Sequence, residues 1–386
     1  MTNEINLIAC GRNLGKIIKE NEDYFAIGSS DYLEFLNIDE YKQWDNLMDS
    51  ENTENWKKQY LKTRNKKELE TGIEFLISKG LAFDKDDKSV YDNLIVSRNG
   101  QAIGLLEGQT YGVRRVHKEK NILMTKEQYL IWISATGTTS LTQVLENIRK
   151  FLNCSQSFAE ERLWENVKVF LKTRLWIMEK YSKTLPELNE LNQENLINNN
   201  NLALNSVFMP VGQTAGYIEE NNILHEGFYI SINNNYVRIT ALQHLVWSAI
   251  GKSKIILKDL CAFLEKDQKE LVKEVINPLL EKQLIIFNEL ENYKDSLRFL
   301  RRGIALKKVE DNYYFTTLSS DKPVGLPDIC FIVWSLLDQN NSFQDIVTLV
   351  VENSGASFKE TEVIVKDAIF HLLQNDLISI LFLEDL

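Results

Sequence analysis

The chain has 386 residues, of which 44% are hydrophobic and 26% are charged. This composition is typical of a folded globular protein and excludes general disorder, a collagen-like repeat and a small disulfide-rich scaffold. The formal net charge of -11 disfavours non-specific attraction to nucleic acid or to an anionic membrane, unless a local basic patch overrides the average.

Four segments contain the same series of predicted elements, in the same order along the chain. Glycines come first, as the pairs Gly11/Gly15, Gly100/Gly104 and Gly212/Gly216 and the single Gly303. Two β-prone runs follow, and then a helix that starts at Asn37, Thr125, Thr240 or Pro327. Seven residues into each helix stands a tryptophan: Trp44, Trp132, Trp247 and Trp334. Each segment closes with an apolar helix that leads to an exit leucine: Leu81, Leu175, Leu284 and Leu377.

The spacing of the tryptophans indicates a tandem pair that was duplicated whole. Trp44 and Trp247 are 203 residues apart, and Trp132 and Trp334 are 202 apart. We therefore predict modules at residues 1–92, 93–182, 206–292 and 293–386, with a polar, asparagine-rich linker at 183–205. The predicted fold class is α+β and helix-rich, with four tandem winged-helix-like modules.

The third module carries the clearest version of the pattern. Two β-prone runs, 228–232 and 236–239, flank an asparagine turn and predict a hairpin. The helix that follows has Thr240 and Gln243 at capping-box spacing before Trp247. With the leucine-rich final helix, this series resembles the PqqD-like winged-helix fold, which includes the peptide-recognition elements of bacterial peptide-modification systems. The resemblance implies that a peptide adds as a strand to the sheet edge, in bacterial peptide maturation or regulation.

No catalytic, cofactor or metal site is written in the sequence. The four cysteines are far apart and form no C-x-x-C pair, and no histidine stands at ligand spacing from another ligand residue. We therefore expect a non-enzymatic protein without a cofactor or a metal. The cysteine usage, the lack of a signal-peptide pattern and the lack of a long apolar run predict a cytoplasmic protein that does not enter a membrane.

Three basic clusters are the candidate contact sites for a partner or for nucleic acid. Their principal residues are Lys57, Lys58 and Arg64, then Arg114, Arg115 and Lys118, then Arg301 and Arg302. The function that we predict is that of a binding or adaptor protein that captures a peptide or protein partner through its modules. The alternative is a DNA-binding transcriptional regulator, in which a basic helix enters the major groove.

Overall fold

A computed structural model describes residues 5–19, 22–28, 33–62, 64–115, 121–181, 202–252, 255–287, 290, 295–318, 320, 322–337 and 341–382. One order of elements occurs four times in this part of the chain. Each occurrence, here called a quarter, has a first strand, a three-stranded antiparallel meander sheet, three helical segments and a last strand antiparallel to the first. The fold is thus mixed, with helices and several small sheets.

The first two quarters lie N-terminal to residue 182. Quarter 1 comprises β1 (Leu7–Ala9), β2 (Arg12–Lys19), β3 (Glu22–Gly28), β4 (Leu33–Leu36), α1 (Ile38–Asp49), α2 (Thr53–Tyr60), α3 (Lys66–Ser78) and β5 (Ala82–Asp84). Quarter 2 comprises β6 (Leu94–Arg98), β7 (Gly100–Leu105), β8 (Tyr111–Arg115), β9 (Ile122–Met124), α4 (Lys126–Ile133), β10 (Thr139–Ser140), α5 (Leu141–Leu152), α6 (Gln156–Lys172) and β11 (Trp176–Lys180).

The other two quarters repeat this order. Quarter 3 comprises β12 (Phe208–Pro210), β13 (Gln213–Ile218), β14 (Gly227–Ile232), β15 (Asn235–Ile239), α7 (Ala241–Lys252), α8 (Leu257–Leu264), α9 (Gln268–Leu271), a π-helical turn (Val272–Ile276), α10 (Asn277–Glu281) and β16 (Ile285–Phe287). Quarter 4 comprises β17 (Leu297–Arg301), β18 (Ile304–Val309), β19 (Asn312–Thr316), β20 (Val324–Pro327), α11 (Asp328–Leu336), α12 (Phe343–Ser354), α13 (Phe358–Gln374) and β21 (Ile378–Phe382).

The predicted hairpins and helix starts are confirmed, with two differences. The third-quarter hairpin is β14 with β15, and capping boxes form at Asn37, Thr125 and Thr240. The first difference is a further strand in each hairpin, which becomes a meander of three. The second is that α11 begins at Asp328, so Pro327 precedes the helix. Most of the predicted linker lies outside the described residues.

In each quarter, the repeated tryptophan, first glycine and exit leucine meet where the first strand leads into the meander and the last helix leads into the last strand. We call this place the joint of the quarter. The N–H of the residue before the first glycine donates to the exit leucine carbonyl, from Cys10 to Leu81 (2.9 Å), Asn99 to Leu175 (2.9 Å), Val211 to Leu284 (2.8 Å) and Arg302 to Leu377 (2.7 Å). The indole N–H donates to a carbonyl of the same joint, from Trp44 to Cys10, Trp132 to Leu175, Trp247 to Val211 and Leu284, and Trp334 to Arg302 and Leu377. Each buried indole therefore stabilises the joint by packing and by hydrogen bonding.

The two halves of the chain repeat the same contact between their quarters. The N–H of Gly11 donates to the carbonyl of Met178 (2.7 Å), which links quarter 1 to the last strand of quarter 2. The N–H of Gly212 donates to the carbonyl of Ile380 (2.8 Å), which links quarter 3 to quarter 4. Since both acceptors stand three residues after the exit leucine, the halves have equivalent positions that can be compared residue by residue.

Each meander sheet of the first half packs against a meander sheet of the second half. In the sheet of quarter 1, Gly15 approaches Ala305 of quarter 4, where an added Cβ would lie 3.3 Å from the main chain. In the sheet of quarter 2, Gly104 approaches Tyr217 of quarter 3, where an added Cβ would lie 2.6 Å from the main-chain nitrogen. Both glycines sit at a β-bulge with positive φ, so they allow two sheets to approach closely. Consequently quarter 1 is joined to quarter 4, and quarter 2 to quarter 3.

Candidate functional site

The first basic cluster lies on the surface of quarter 1. Lys57 is in the last turn of α2, and its ammonium group contacts Glu54 (3.1 Å). Lys58 is exposed on the same helix, and Arg64 follows it and contacts Asp39 (3.0 Å). Because two of these three cations are already paired with carboxylates, the cluster is less positive than its sequence suggests.

A polar pocket of about 290 Å³ lies beside this cluster, between α1 and α2. Its lining consists of Asp39, Lys42, Gln43, Asn46, Trp56, Gln59, Tyr60 and Arg64. The buried Trp56 donates its indole N–H to the carbonyl of Gln43 (3.2 Å), and the Gln43 amide donates to the Tyr60 hydroxyl (2.8 Å). These bonds fix the wall of the pocket, which offers two cations, one carboxylate and several amide groups to a polar ligand.

The third strands of the meander sheets are the outer edges of those sheets. In the described part of the chain, β4, β9, β15 and β20 each pair with a single strand, and the first strands at the opposite edges pack against another quarter. The edge of β15 is partly occupied, since Lys282 donates to the carbonyl of Arg238 (2.8 Å). The edge of β20 ends in Pro327, which has no N–H to donate.

The β4 strand, which pairs with β3 alone within the described ranges, carries exposed apolar side chains. Leu33 is 44% exposed and Phe35 is 41% exposed, and the two lie on the same face of the strand because side chains alternate. Asp39 of the pocket follows this strand by three residues. The β4 edge and the α1–α2 pocket therefore occupy one corner of quarter 1. The β9 edge offers one comparable side chain, Leu123, which is 61% exposed.

The second basic cluster lies on β8. Arg114 is exposed and Arg115 is half-buried, opposite Gln101 and Gly100 of β7. Lys118 lies outside the described residues. Arg114 and Arg115 thus belong to the meander sheet of quarter 2, on a strand that is hydrogen-bonded on both sides.

The third basic cluster does not lie on the surface. Arg301 is 4% exposed and Arg302 is 9% exposed, so neither side chain lies on the surface of the described structure, where a protein partner or nucleic acid would contact it. The guanidinium of Arg302 donates to the carbonyl of Gly100 in quarter 2 (2.8 Å), and Arg301 contacts Glu179 in the same quarter (3.4 Å). These side chains join quarters 2 and 4 internally.

Arg301 and Arg302 belong to a buried group that we call the arginine centre, formed by Arg12, Arg98, Arg301, Arg302 and Glu179. Two oxygens of Glu179 accept from Arg12 and from Arg301, each at 3.4 Å. Arg98 donates to the carbonyl of Thr214 (3.2 Å) and to the hydroxyl of Ser231, both in quarter 3. All four quarters therefore contribute to the centre or to its hydrogen bonds.

Burial dominates the electrostatics of this centre. It lowers the pKa of Arg12, an effect that Glu179 opposes and Arg301 reinforces. It likewise lowers the pKa of Arg302 to about 10, although the nearby carboxylate of Asp376 opposes the shift. Arginine side chains remain protonated in proteins, so the protein interior contains several positive charges in mutual repulsion.

The sequence contained a signal for this centre that its basic clusters did not reveal. Arg12 follows Gly11, Arg98 precedes Gly100 by two residues, and Arg301 precedes Gly303 by two residues. An arginine beside the first glycine of a module is therefore placed at the joint, where the quarters meet. Glu179 gave no such signal, because only the contact between quarters places it there.

The described residues contain no cluster of His, Cys, Asp or Glu that could hold a metal ion. Within the same ranges, no helix combines the length and the apolar character needed to cross a membrane. No protein-family model, curated protein or solved structure matches the chain.

Proposed function

We propose that this protein is a non-enzymatic binding or adaptor protein that captures a peptide or protein segment as an added strand on the β4 edge. The single observation that carries this proposal is the exposed pair Leu33 and Phe35 on a strand that has one hydrogen-bonded neighbour among the described strands. Main-chain groups of such an edge bind an extended peptide, and alternate side chains select it.

The order of elements in each quarter also supports a winged-helix-like reading, with the meander sheet in the place of the wing. On this reading the four modules are PqqD-like, and the chain is a cytoplasmic protein of bacterial peptide maturation or regulation. The α1–α2 pocket beyond β4 would take a polar side chain of the bound peptide, because its lining is rich in charged and amide groups.

The test is a selection of random displayed peptides on the full chain, followed by measurement of the dissociation constant by fluorescence anisotropy. We expect extended peptides to be selected, and hydrogen exchange at Leu33–Leu36 to slow when they bind. The double variant Leu33→Glu, Phe35→Glu should weaken binding about tenfold or more, since charges on an edge strand disfavour strand addition.

Leu123→Glu is the control on another edge, because it replaces an exposed apolar side chain of β9 by a carboxylate. Equal loss of binding in the control and in the β4 variant would contradict the choice of site. Selected peptides that bind without protecting the β4 amides would contradict strand addition.

The DNA-binding alternative depends on the exposed residues Lys58 and Arg114. It predicts salt-dependent DNA binding that weakens when these residues are changed to Gln. The pairing of Lys57 and Arg64 with carboxylates favours the peptide proposal over this alternative. Retention of DNA, together with no peptide from the selection, would reverse that preference.

A further inference from the structure

The arginine centre carries more positive charge than the surrounding protein neutralises. Four guanidinium groups are at least nine-tenths buried, and they face two carboxylates, Glu179 and the more distant Asp376. A buried charge without a partner is strongly unfavourable, so a folded protein compensates it or excludes it.

The compensation by Glu179 is incomplete in its geometry. Its contacts with Arg12 and Arg301 are 3.4 Å long, whereas charge-assisted hydrogen bonds are normally about 2.7–2.9 Å. The carboxylate is thus shared between two guanidinium groups and holds neither of them tightly.

Several buried donors of the centre have no acceptor within the described ranges. They are Nε and Nη1 of Arg12, Nε of Arg98 and Nε of Arg302. Buried N–H groups are normally hydrogen-bonded, and a group of unpaired donors on guanidinium side chains is suited to an acceptor with several oxygens.

The two halves of the chain differ at this place. Arg12 and Glu179 in the first half correspond to Gln213 and Leu381 in the second, by their positions after the first glycine and after the exit leucine. The joint of quarter 3 therefore folds without the charge that Arg12 places at the joint of quarter 1, whereas Arg301 and Arg302 stand at the joint of quarter 4. An arginine after the first glycine is consequently not a requirement of every joint, which indicates a separate role for Arg12.

We propose that the arginine centre is a binding site for a small oxyanion of the phosphate class, held by the unpaired guanidinium donors. The anion supplies the acceptors and the negative charge that the centre lacks. Because all four quarters contribute to the centre or to its hydrogen bonds, a bound anion also ties the halves of the chain together.

The experiment uses the full chain and inorganic phosphate as the probe. Thermal unfolding is followed in increasing phosphate and, in parallel, in sodium chloride of equal ionic strength. We expect phosphate to raise Tm more than chloride does, with a concentration dependence that saturates as for a single site. Equal effects of phosphate and chloride on the wild-type chain would overturn the proposal.

Two variants locate the binding site, and isothermal titration gives the dissociation constant for phosphate. Arg12→Gln should weaken it about tenfold or more, because it removes one charged donor and installs the residue of the equivalent position in the second half. Arg149→Gln, on the exposed face of α5, should leave it unchanged. Equal phosphate binding by the wild type and by Arg12→Gln would place the anion elsewhere and overturn the proposal.

Discussion

The contact of Glu179 with two buried arginines predicts a strong and non-additive effect on stability. Glu179→Leu removes the carboxylate between Arg12 and Arg301, whose side chains are 1% and 4% exposed. Removing one partner of a buried ion pair typically costs about 3–5 kcal/mol. Because both contacts are 3.4 Å long, we expect the lower end of that range, about 3 kcal/mol, in the free energy of unfolding.

The chain itself suggests the compensating change. In the second half, Gln213 and Leu381 stand where the first half has Arg12 and Glu179. The double variant Arg12→Gln, Glu179→Leu should therefore recover part of the loss, with a coupling energy of about 2 kcal/mol in a double-mutant cycle. Urea denaturation in phosphate-free buffer, followed by tryptophan fluorescence, gives the four free energies.

The control cycle uses the exposed pair of Lys88 and Glu160, which are separated by 2.7 Å. Changing both residues to Gln should give a coupling energy below about 1 kcal/mol, as for other surface pairs. Additive effects of the changes at positions 12 and 179 would refute the reasoning, since they would mean that the two charges do not compensate each other in the folded protein.

Three further predictions concern other parts of the fold. Burial lowers the pKa of Lys168 to about 8 from 10.5, so unfolding takes up a proton between these pH values. In urea titrations, the stability of the wild type relative to Lys168→Met should therefore rise by up to ~3 kcal/mol from pH 8 to 10.5. A difference in stability that does not change with pH would contradict this. Gly104→Ala should lower the free energy of unfolding by about 3 kcal/mol in the same assay, because the added Cβ would clash with Tyr217. Gly108→Ala places its Cβ in open space and should cost about 1 kcal/mol. Equal costs for the two variants would exclude the clash. Asn37→Ala should cost about 1 kcal/mol through loss of the α1 cap, and an unchanged free energy of unfolding would show that this cap is dispensable.

The local features of the fold could be predicted from the sequence because their causes are local. A capping residue with Glu or Gln three residues later determines where α1, α4 and α7 begin, and the same spacing places each tryptophan on its helix. The repeat could be recognised because tryptophan is rare in the sequence and four of the seven tryptophans recur in the same setting. The first strand of each meander was missed because glycines stand in it or directly before it, and glycine weakens a β-prone pattern.

The candidate sites were less accessible from sequence. Charge density along the chain gave equal weight to Arg64 and Arg301, although Arg64 is exposed and Arg301 is buried. The difference arises from packing between quarters, which no local pattern reports. The sequence does not show which edge of the sheet is open, because the packing of β2 against quarter 4 decides it.

The pairing of the first meander sheet with the last has a consequence for synthesis of the chain on the ribosome. The hydroxyl of Tyr313 donates to the carbonyl of Lys16, a contact across 297 residues. The first sheet leaves the exit tunnel early, and the last sheet is not available to pack against it until the final quarter has also left the tunnel. During that interval its apolar face is open to other nascent chains, so we expect a truncated product that ends before β17 to bind chaperones or to aggregate.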